Sequence, residues 1–391
     1  MKILFLSFYY QPDLSAGSFR ASALINALME QLPKDSHIDL ITTLPNRYSS
    51  FSSEAPKLEF HSKLTINRVS LPQHKSGILD QSRAFLIFAK YAVKLCKHKE
   101  YDIIFATSSR LMTGVLGAYI SRKLKKPLYL DLRDIFVDTI KDALPKKIVW
   151  ALRPIFSLVE RWTIHSSNSV NLVSLGFLPY FQKRYPNQNY SFFTNGIDDE
   201  FINKECIGHN QSNSKILKVV YAGNIGEGQG LHTIIPYLGK KFTGLLEFKL
   251  IGDGGRKEQL VAAIEKIGCK NVEILPPIKR EELIKIYQSA DILFLHLNDY
   301  EAFEKVLPSK LFEYGAMGKP IWAGVSGHAA KFINENITNS AIFRPCDIDG
   351  AVSAFDRLEI ITKQRYTFVH KFNRRNIMKK MALDIIYSAK R

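Results

Sequence analysis

The feature that most constrains this chain is a repeated local order: a short apolar run, a glycine-containing turn, then an amphipathic stretch. Lys2–Phe8 (KILFLSF) leads through YYQPDLSAGS into a helical pattern over Phe19–Leu32. Leu217–Ala222 (LKVVYA) leads through GNIGEGQGL into a second helical stretch. Strands this uniformly apolar belong inside parallel sheets covered on both faces. Further short strands are predicted at His37–Thr42, Leu64–Val69, Asp102–Ala106, Pro127–Leu132 and Ser169–Val173, then at Glu247–Ile251, Val272–Leu275, Asp291–Leu297 and Pro320–Ala323. Their alternation with helices predicts an α/β chain of two Rossmann-like, doubly wound domains. A length of 391 residues agrees, since it exceeds a comfortable single core. The first domain is expected over 1–206 and the second over 207–369, with the polar segment Ile207–Lys215 as linker. The basic helical stretch within 370–391 is expected to return to the first domain.

Composition narrows the partners. The formal charge is +17, which calls for an anionic partner: nucleic acid, acidic lipid or a phosphorylated substrate. No zinc finger, RNP aromatic signature or KH loop accompanies it, and the basic residues are dispersed among apolar ones. The four cysteines are scattered, without the spacing of a zinc site or disulfide framework, which fits a reducing compartment. The opening MKILFLSFYYQPD reads as a first strand rather than a signal peptide, and no apolar stretch is long enough for a spanning helix.

Two segments combine aromatic and basic residues: Ile78–Lys99 (ILDQSRAFLIFAKYAVKLCKHK) and Lys146–Ile164 (KKIVWALRPIFSLVERWTI). They are either core-facing helices with solvated basic backs or a surface that attracts anionic lipid headgroups. The loop Asp13–Ser18 suits an anion, because Gly17 lets backbone approach closely, or it is a capped turn. Arg20 then faces either that anion or solvent. In LPSKLFEYGAMGKPI (Leu307–Ile321), Pro308 fits a helix start, so the amides of Ser309, Lys310 and Leu311 point at whatever lies before it. Glu313 in the first turns either accepts from both hydroxyls of a vicinal diol such as ribose or complements the helix dipole. Gly318 ends the helix.

Taken in order, YYQPDLSAGSFR, TNGID (Thr194–Asp198), YAGNIGEGQGL (Tyr221–Leu231), IGDGG (Ile251–Gly255), SADILFL (Ser289–Leu295) and PSKLFEYGAMGKPI resemble a family 4 glycosyltransferase of the GT-B fold. More narrowly, they resemble the bacterial O-antigen and capsule branch that includes L-fucosamine (N-acetylfucosaminyl) transferases. The resemblance implies retaining transfer of a sugar from a UDP donor, bound by the second domain, to a lipid-linked (polyprenyl-diphosphate) glycan. The enzyme would sit peripherally on the cytoplasmic face of the inner membrane, with no metal or other cofactor. It implies that Glu313 is the second glutamate of the family's paired motif, while Lys305 stands at the first. A cleft histidine of the family falls on Arg133, followed by Asp134, so these two and Lys305 are the candidates nearest the reacting centre. A phosphate-binding arginine and lysine fall on Asn224 and Gln229. The implied substrate-binding set is Gly17, Arg20, Asn195, Asn224, Arg256, Ser309, Lys310, Leu311 and Glu313. Lys310 is the first candidate to neutralise the leaving diphosphate, with Lys305 and Arg256 as alternatives. A UDP-sugar epimerase of the same architecture and a nucleic-acid-binding protein are the competing readings; the former needs acid and base groups on both sides of the sugar, and the latter leaves the glycine turns unexplained.

Overall fold

A computed structural model describes the chain except residues 47–53, 72–77, 109–110, 136, 138–145, 203–215 and 391. The chain divides into two compact units, Met1–Asn195 with Arg375–Arg391, and Gly196–Arg374. The expected break at 206/207 and the linker Ile207–Lys215 lie outside the described residues.

In the first unit the strands are β1 (Lys2–Leu6), β2 (His37–Thr43), β3 (Leu58–His61), β4 (Leu64–Val69), β5 (Ile103–Thr107), β6 (Leu128–Leu132), β7 (Ser169–Leu172) and β8 (Tyr190–Ser191). They form one sheet in the order β3-β4-β2-β1-β5-β6-β7-β8. Every pairing is parallel except β3 with β4, a short antiparallel hairpin at the edge. The order reverses at β1, the topology of a doubly wound sheet. The helix Arg374–Ser388 contributes Met378, Met381, Ala382 and Ile385 to the core that Ile3, Phe5, Ile38, Ile103 and Tyr129 build on the sheet. Tyr129 Oη donates to Asp384 at 2.7 Å, so the same helix is also fixed by a polar bond from β6.

The second unit holds β9 (Leu217–Ala222), β10 (Leu246–Ile251), β11 (Val272–Leu275), β12 (Ile292–His296), β13 (Ile321–Gly324) and β14 (Ser340–Phe343) in one all-parallel sheet ordered β11-β10-β9-β12-β13-β14. Trp322 on β13 is fully buried and anchors an aromatic cluster with Phe242, Phe248, Phe294, Phe343 and Phe355. The order turns at β9, whose carboxyl end opens into the GNIGEGQG turn.

The predicted strands are all present, with boundaries shifted by a residue or two. β3, β8 and β14 were not anticipated, being short and lacking a sustained apolar run. The first helix starts earlier than predicted, at Ala16, because Ser15 caps it: its side chain accepts from Ser18 N at 3.1 Å. Gly17 therefore lies in the first helical turn, buried, and not in a loop.

Arg20 faces neither an open anion site nor solvent. It is 2% exposed, and its guanidinium pairs with Asp131 through Nε at 3.0 Å and Nη2 at 2.9 Å. The remaining donors reach the carbonyls of Thr194 (2.8 Å) and Phe193 (2.7 Å). Asp131 also accepts from Asn171 and Thr107. Burial works against its ionisation, and Arg20, Asn171 and Arg133 outweigh it, holding the carboxyl below its ordinary range. A helix position one turn in reads as solvent-facing by sequence alone; a buried carboxylate at the end of β6 turns it inward.

Removing one partner of such a pair strands a charge in the core. Arg20→Met is expected to destabilise the first unit by about 3–5 kcal/mol in urea denaturation, with Arg20→Met/Asp131→Leu recovering much of that loss. A single variant within about 1 kcal/mol of wild type would show that the pair is not structural in this sense.

Candidate functional site in the second unit

The site is built from three carboxyl-end segments of the second sheet. After β9 the chain turns through Gly223, at φ +142°, a conformation that favours glycine. A Cβ there would collide with Lys310 Nζ, so the lysine lies directly across this turn. After β10, Gly252 (φ +155°) brings the GDGG turn so close that a Cβ would run into the carbonyl oxygen of Gly223. Two glycine turns are thus stacked on each other, Gly252 leaving room for the Gly223 backbone and Gly223 leaving room for Lys310.

Lys310 opens the helix Lys310–Ala316. Its Nζ is 3.3 Å from Tyr221 Oη and 4.8 Å from the centre of that ring. Tyr221 Oη in turn donates to the carbonyl of Asn224 at 2.6 Å. The two positions expected to carry phosphate cations in relatives, Asn224 and Gln229, bond to each other: Nδ2 donates to Oε1 at 2.7 Å. Of the three amides expected at the helix start, that of Leu311 already donates to Pro308 O at 3.2 Å, and its side chain is fully buried. Leu311 therefore drops out as a ligand-binding amide, leaving Ser309 and Lys310.

The alternative cations are committed elsewhere. Arg256 Nε pairs with Glu227 and its Nη1 donates to Gln259 at 2.7 Å. Glu227 also accepts from Tyr300, and its backbone carbonyl accepts from Asn298 at 2.9 Å. Burial raises the Glu227 carboxyl, and the bonds from Tyr300 and Arg256 overcome that and lower it. Lys305 lies 3.7 Å from Glu301, one helical turn away.

His296, at the end of β12, is fully buried beneath this loop. Its Nε2 accepts from Cys346 N at 2.9 Å, so Nδ1 carries the proton and donates to Gln229 O at 2.7 Å. The ring ties the glycine turn to the loop after β14.

Glu313 sits one turn beyond Lys310, with a side chain 17% exposed. Burial raises its carboxyl above the ordinary range; Arg280, Arg374 and Lys310 pull it down while Asp198 pushes it up. Arg280, the first residue of the helix Arg280–Ser289, places Nη2 3.9 Å from Glu313 Oε1. The same guanidinium bonds Asp198, lies 2.7 Å from Glu200 and covers the ring of Phe201 at 4.9 Å. Asp198 is also 2.9 Å from Arg374 Nη1. Sequence reasoning passed over Arg280, which starts an ordinary-looking helix. Asp198 was in view only as the last letter of TNGID.

The remaining candidates lie in the first unit. Arg133 and Asp134 follow β6, with the Arg133 amide donating to Ser108 Oγ at 3.0 Å and Asp134 exposed. Asn195 is buried at the end of the unit's first segment. Gly17 and Arg20 belong to the helix Ala16–Gln31. The structure brings together Lys310, Glu313, Asn224 and the glycine turns; Arg20 is reassigned to the core.

Two Rossmann-like α/β units with parallel sheets define the GT-B class. Residues 204–373 match the family described as Glycosyl transferases group 1. Over 106 residues the chain is 33% identical to "Putative colanic acid biosynthesis glycosyl transferase WcaI" of Escherichia coli (strain K12), a match covering 27% of this chain and 25% of that protein. The chain thus spans about a quarter of the length of that curated relative. Among solved structures it is similar to sucrose-phosphate synthase (tll1590) from Thermosynechococcus elongatus, with TM-score 0.74, 13% identity and 98% of each chain covered. It is also similar to Anabaena Alr3699/HepE in complex with UDP-glucose, with TM-score 0.68, 16% identity and 99% and 100% coverage. A third is WaaG, a glycosyltransferase involved in lipopolysaccharide biosynthesis, with TM-score 0.65, 13% identity and 97% and 95% coverage. At these identities the likeness to solved structures establishes the fold.

Burial lowers His296 to about 4, the bond to Gln229 O opposing and His232 adding to the effect. The unfolded chain takes up that proton below about pH 6.5, whereas the folded one refuses it down to about 4. Its contribution is therefore complete above pH 6.5 and is lost as pH falls toward 4. On the order of 3 kcal/mol should disappear over that window. Urea denaturation followed by Trp322 fluorescence, with Trp150 and Trp162 replaced by Phe, reads this unit alone. His296→Gln should start less stable and show a shallower pH slope; an unchanged slope would exclude His296 as its source.

Proposed function

We propose that this protein is a retaining glycosyltransferase that moves a sugar from a UDP donor to a lipid-linked glycan in cell-surface polysaccharide synthesis. The sugar is an N-acetylated or deoxy amino sugar in this reading. The observation that carries it is the helix Lys310–Ala316: it presents a lysine across a pair of stacked glycine turns and, one turn later, a carboxylate at the edge of the core. That spacing matches a nucleotide-sugar, with an anionic diphosphate at one end and a ribose diol at the other. Glu313 accepts from the ribose hydroxyls. Lys310 and the amides of Ser309 and Lys310 offset the departing diphosphate, whose stabilisation carries most of the rate. Side chains and amides, and no metal, fill that role. Arg133 and Asp134 serve the reacting centre, with Lys305 beside the sugar. Support for the donor and pathway comes from the family match over residues 204–373, from the UDP-glucose complex of HepE, and from the polysaccharide and lipopolysaccharide roles named for WcaI and WaaG.

The acceptor reading places the enzyme peripherally on the cytoplasmic face of the inner membrane. Among the described residues no helix is long and apolar enough to cross a membrane. The helices Ile78–Cys96 and Lys146–His165 expose Leu86, Tyr91, Trp150, Ile155 and Leu158, with Trp150 83% exposed. Such a mixture of aromatic and basic side chains suits anionic headgroups.

Incubation with UDP-sugars tests the activity: UDP release with transfer is expected, including in EDTA, whereas interconversion of the sugar would indicate an epimerase. Glu313→Ala should weaken UDP binding and nearly abolish transfer while leaving thermal unfolding unchanged. Lys310→Ala should cost roughly 2–4 kcal/mol of transition-state stabilisation, about 30- to 10³-fold in turnover, with Lys305→Ala and Arg256→Ala losing far less. Near-normal turnover of Lys310→Ala would leave the diphosphate to the amides and helix dipole.

Liposome sedimentation tests the membrane reading. Binding should favour anionic over neutral vesicles and weaken with salt, since exposed charges are screened beyond ~10 Å at 0.1 M. Trp150→Ala should reduce what salt leaves behind. Equal binding to both vesicle types would contradict an electrostatic attachment.

A further inference from the structure

The charged groups behind Glu313 form an alternating series inside the second unit: Arg374, Asp198, Arg280, Glu313. The series starts from a backbone clamp. Ile197 N donates to Phe372 O at 2.8 Å, and Arg374 N donates back to Ile197 O at 2.9 Å. The Arg374 guanidinium adds bonds to Gly196 O at 3.2 and 2.8 Å. Asp198, next in the chain, is therefore held in place before it meets any ligand. It takes the direct hydrogen bond of Arg280, while Glu200 takes the ion pair at Nε. Glu313 receives only the field of the guanidinium at 3.9 Å, beyond hydrogen-bonding reach.

That distance matters. A carboxylate has about four lone-pair sites, and an arginine fork laid directly on it would occupy the oxygens that a diol needs. Held off by Asp198, the guanidinium offsets the charge without using them. We propose that Arg280 is a positioning residue for Glu313, kept at a stand-off by Asp198 and Glu200 so that the Glu313 carboxylate stays charged and its oxygens stay available to two hydroxyls of a bound nucleotide-sugar. The inference rests on the reading of Glu313 as the diol ligand. The charged and titratable groups that bear on Glu313 are Arg280, Asp198, Arg374, Lys310 and the phenol of Tyr287 on the helix Arg280–Ser289, together with Tyr314 on its own helix.

Two variants should move Glu313 in opposite directions while both weaken binding, a pattern that a merely structural ion pair does not produce. The Glu313 carboxyl is followed by carbon-13 NMR of glutamate-labelled protein, assigned by its loss in Glu313→Gln. Binding is followed by calorimetry with UDP-glucose, whose diphosphate diester does not titrate between pH 5 and 8. Arg280→Gln should raise the Glu313 midpoint by ~1 unit or more. UDP-glucose binding should then fall ~10-fold about one pH unit below the new midpoint and recover as pH rises through it, because the carboxylate form returns. Asp198→Ala should lower the midpoint, since a neighbouring negative charge is gone, yet also weaken binding, since Arg280 collapses onto Glu313. An Arg280→Gln midpoint equal to wild type overturns the proposal, as does Asp198→Ala binding as tightly as wild type. Should Arg280→Gln fail to fold, Arg280→Lys decides: it is expected to hold the midpoint within ~0.5 unit but bind UDP-glucose ~10-fold more weakly, because one ammonium cannot serve both carboxylates and keep its distance. Wild-type binding by that variant would remove the claim for the guanidinium. If Glu313→Gln binds UDP-glucose as wild type does, the diol assignment fails instead, while the NMR midpoints still report on Arg280.

Discussion

A carboxylate taken out of water must be given donors, and two carboxylates of this chain meet that demand in opposite ways. Asp131 is enclosed by Arg20, Asn171 and Thr107, each within hydrogen-bonding distance. Nothing remains for a ligand to take, and the group's role is to join the first helix, β6, β7 and the segment carrying Phe193 and Thr194. Glu313 is nearly as enclosed, yet its nearest cation stops at 3.9 Å. Asp131 is fully satisfied from within the chain, whereas Arg280, bonded to Asp198, stays beyond hydrogen-bonding reach of Glu313. Arg365 shows the same rule from the cationic side. It is 6% exposed and directs its guanidinium at the carbonyls of Thr338, Tyr314, Gly315, Lys319 and Asn339. Two of those carbonyls end the helix that carries Glu313, so Arg365 holds that helix's last turn.

Fold class was legible because it depends on runs of side chains. Uniformly apolar strands such as KILFL and LKVVYA can only be buried on both faces, and their alternation with helices leaves little besides a doubly wound sheet. Short edge elements escaped: β3 is mostly exposed and β8 has two residues, so neither carries a period. Lys310 and Glu313 stand out in the sequence because a charge inside an apolar helix start needs a reason. Arg20 was misplaced because the residue that turns it inward, Asp131, lies in a distant strand. Arg280 was invisible for the same cause: its partners Asp198, Glu200 and Glu313 come from two other parts of the chain. Residue type and local spacing reveal which groups are unusual, while long-range pairing decides whether an unusual group faces a ligand or a neighbour.

The formal charge of +17 illustrates how little a sum says about a site. Arg20, Arg68, Arg365 and Arg374 are all buried, engaged with internal carboxylates or carbonyls. They contribute to the net field but are not available for direct contact with an anionic partner.

Lys310 is placed differently, across a glycine turn. With Asn224 and Gln229 bonded to each other, the glycine turn supplies amides and neutral dipoles but no positive charge of its own. Gly223 and Gly252 keep the space above that turn clear of side chains. Lys310 crosses that space from the neighbouring helix and rests against the face and hydroxyl of Tyr221. An aromatic face holds an ammonium without neutralising it, unlike the carboxylate that engages Arg256. The ammonium thus lies against a neutral partner, the ring and hydroxyl of Tyr221. Tyr221, whose hydroxyl also fixes the Asn224 carbonyl, couples the lysine to the turn it crosses. The lysine approaches the turn from the helix beside it, and the missing side chain at Gly223 is what makes that approach sterically possible.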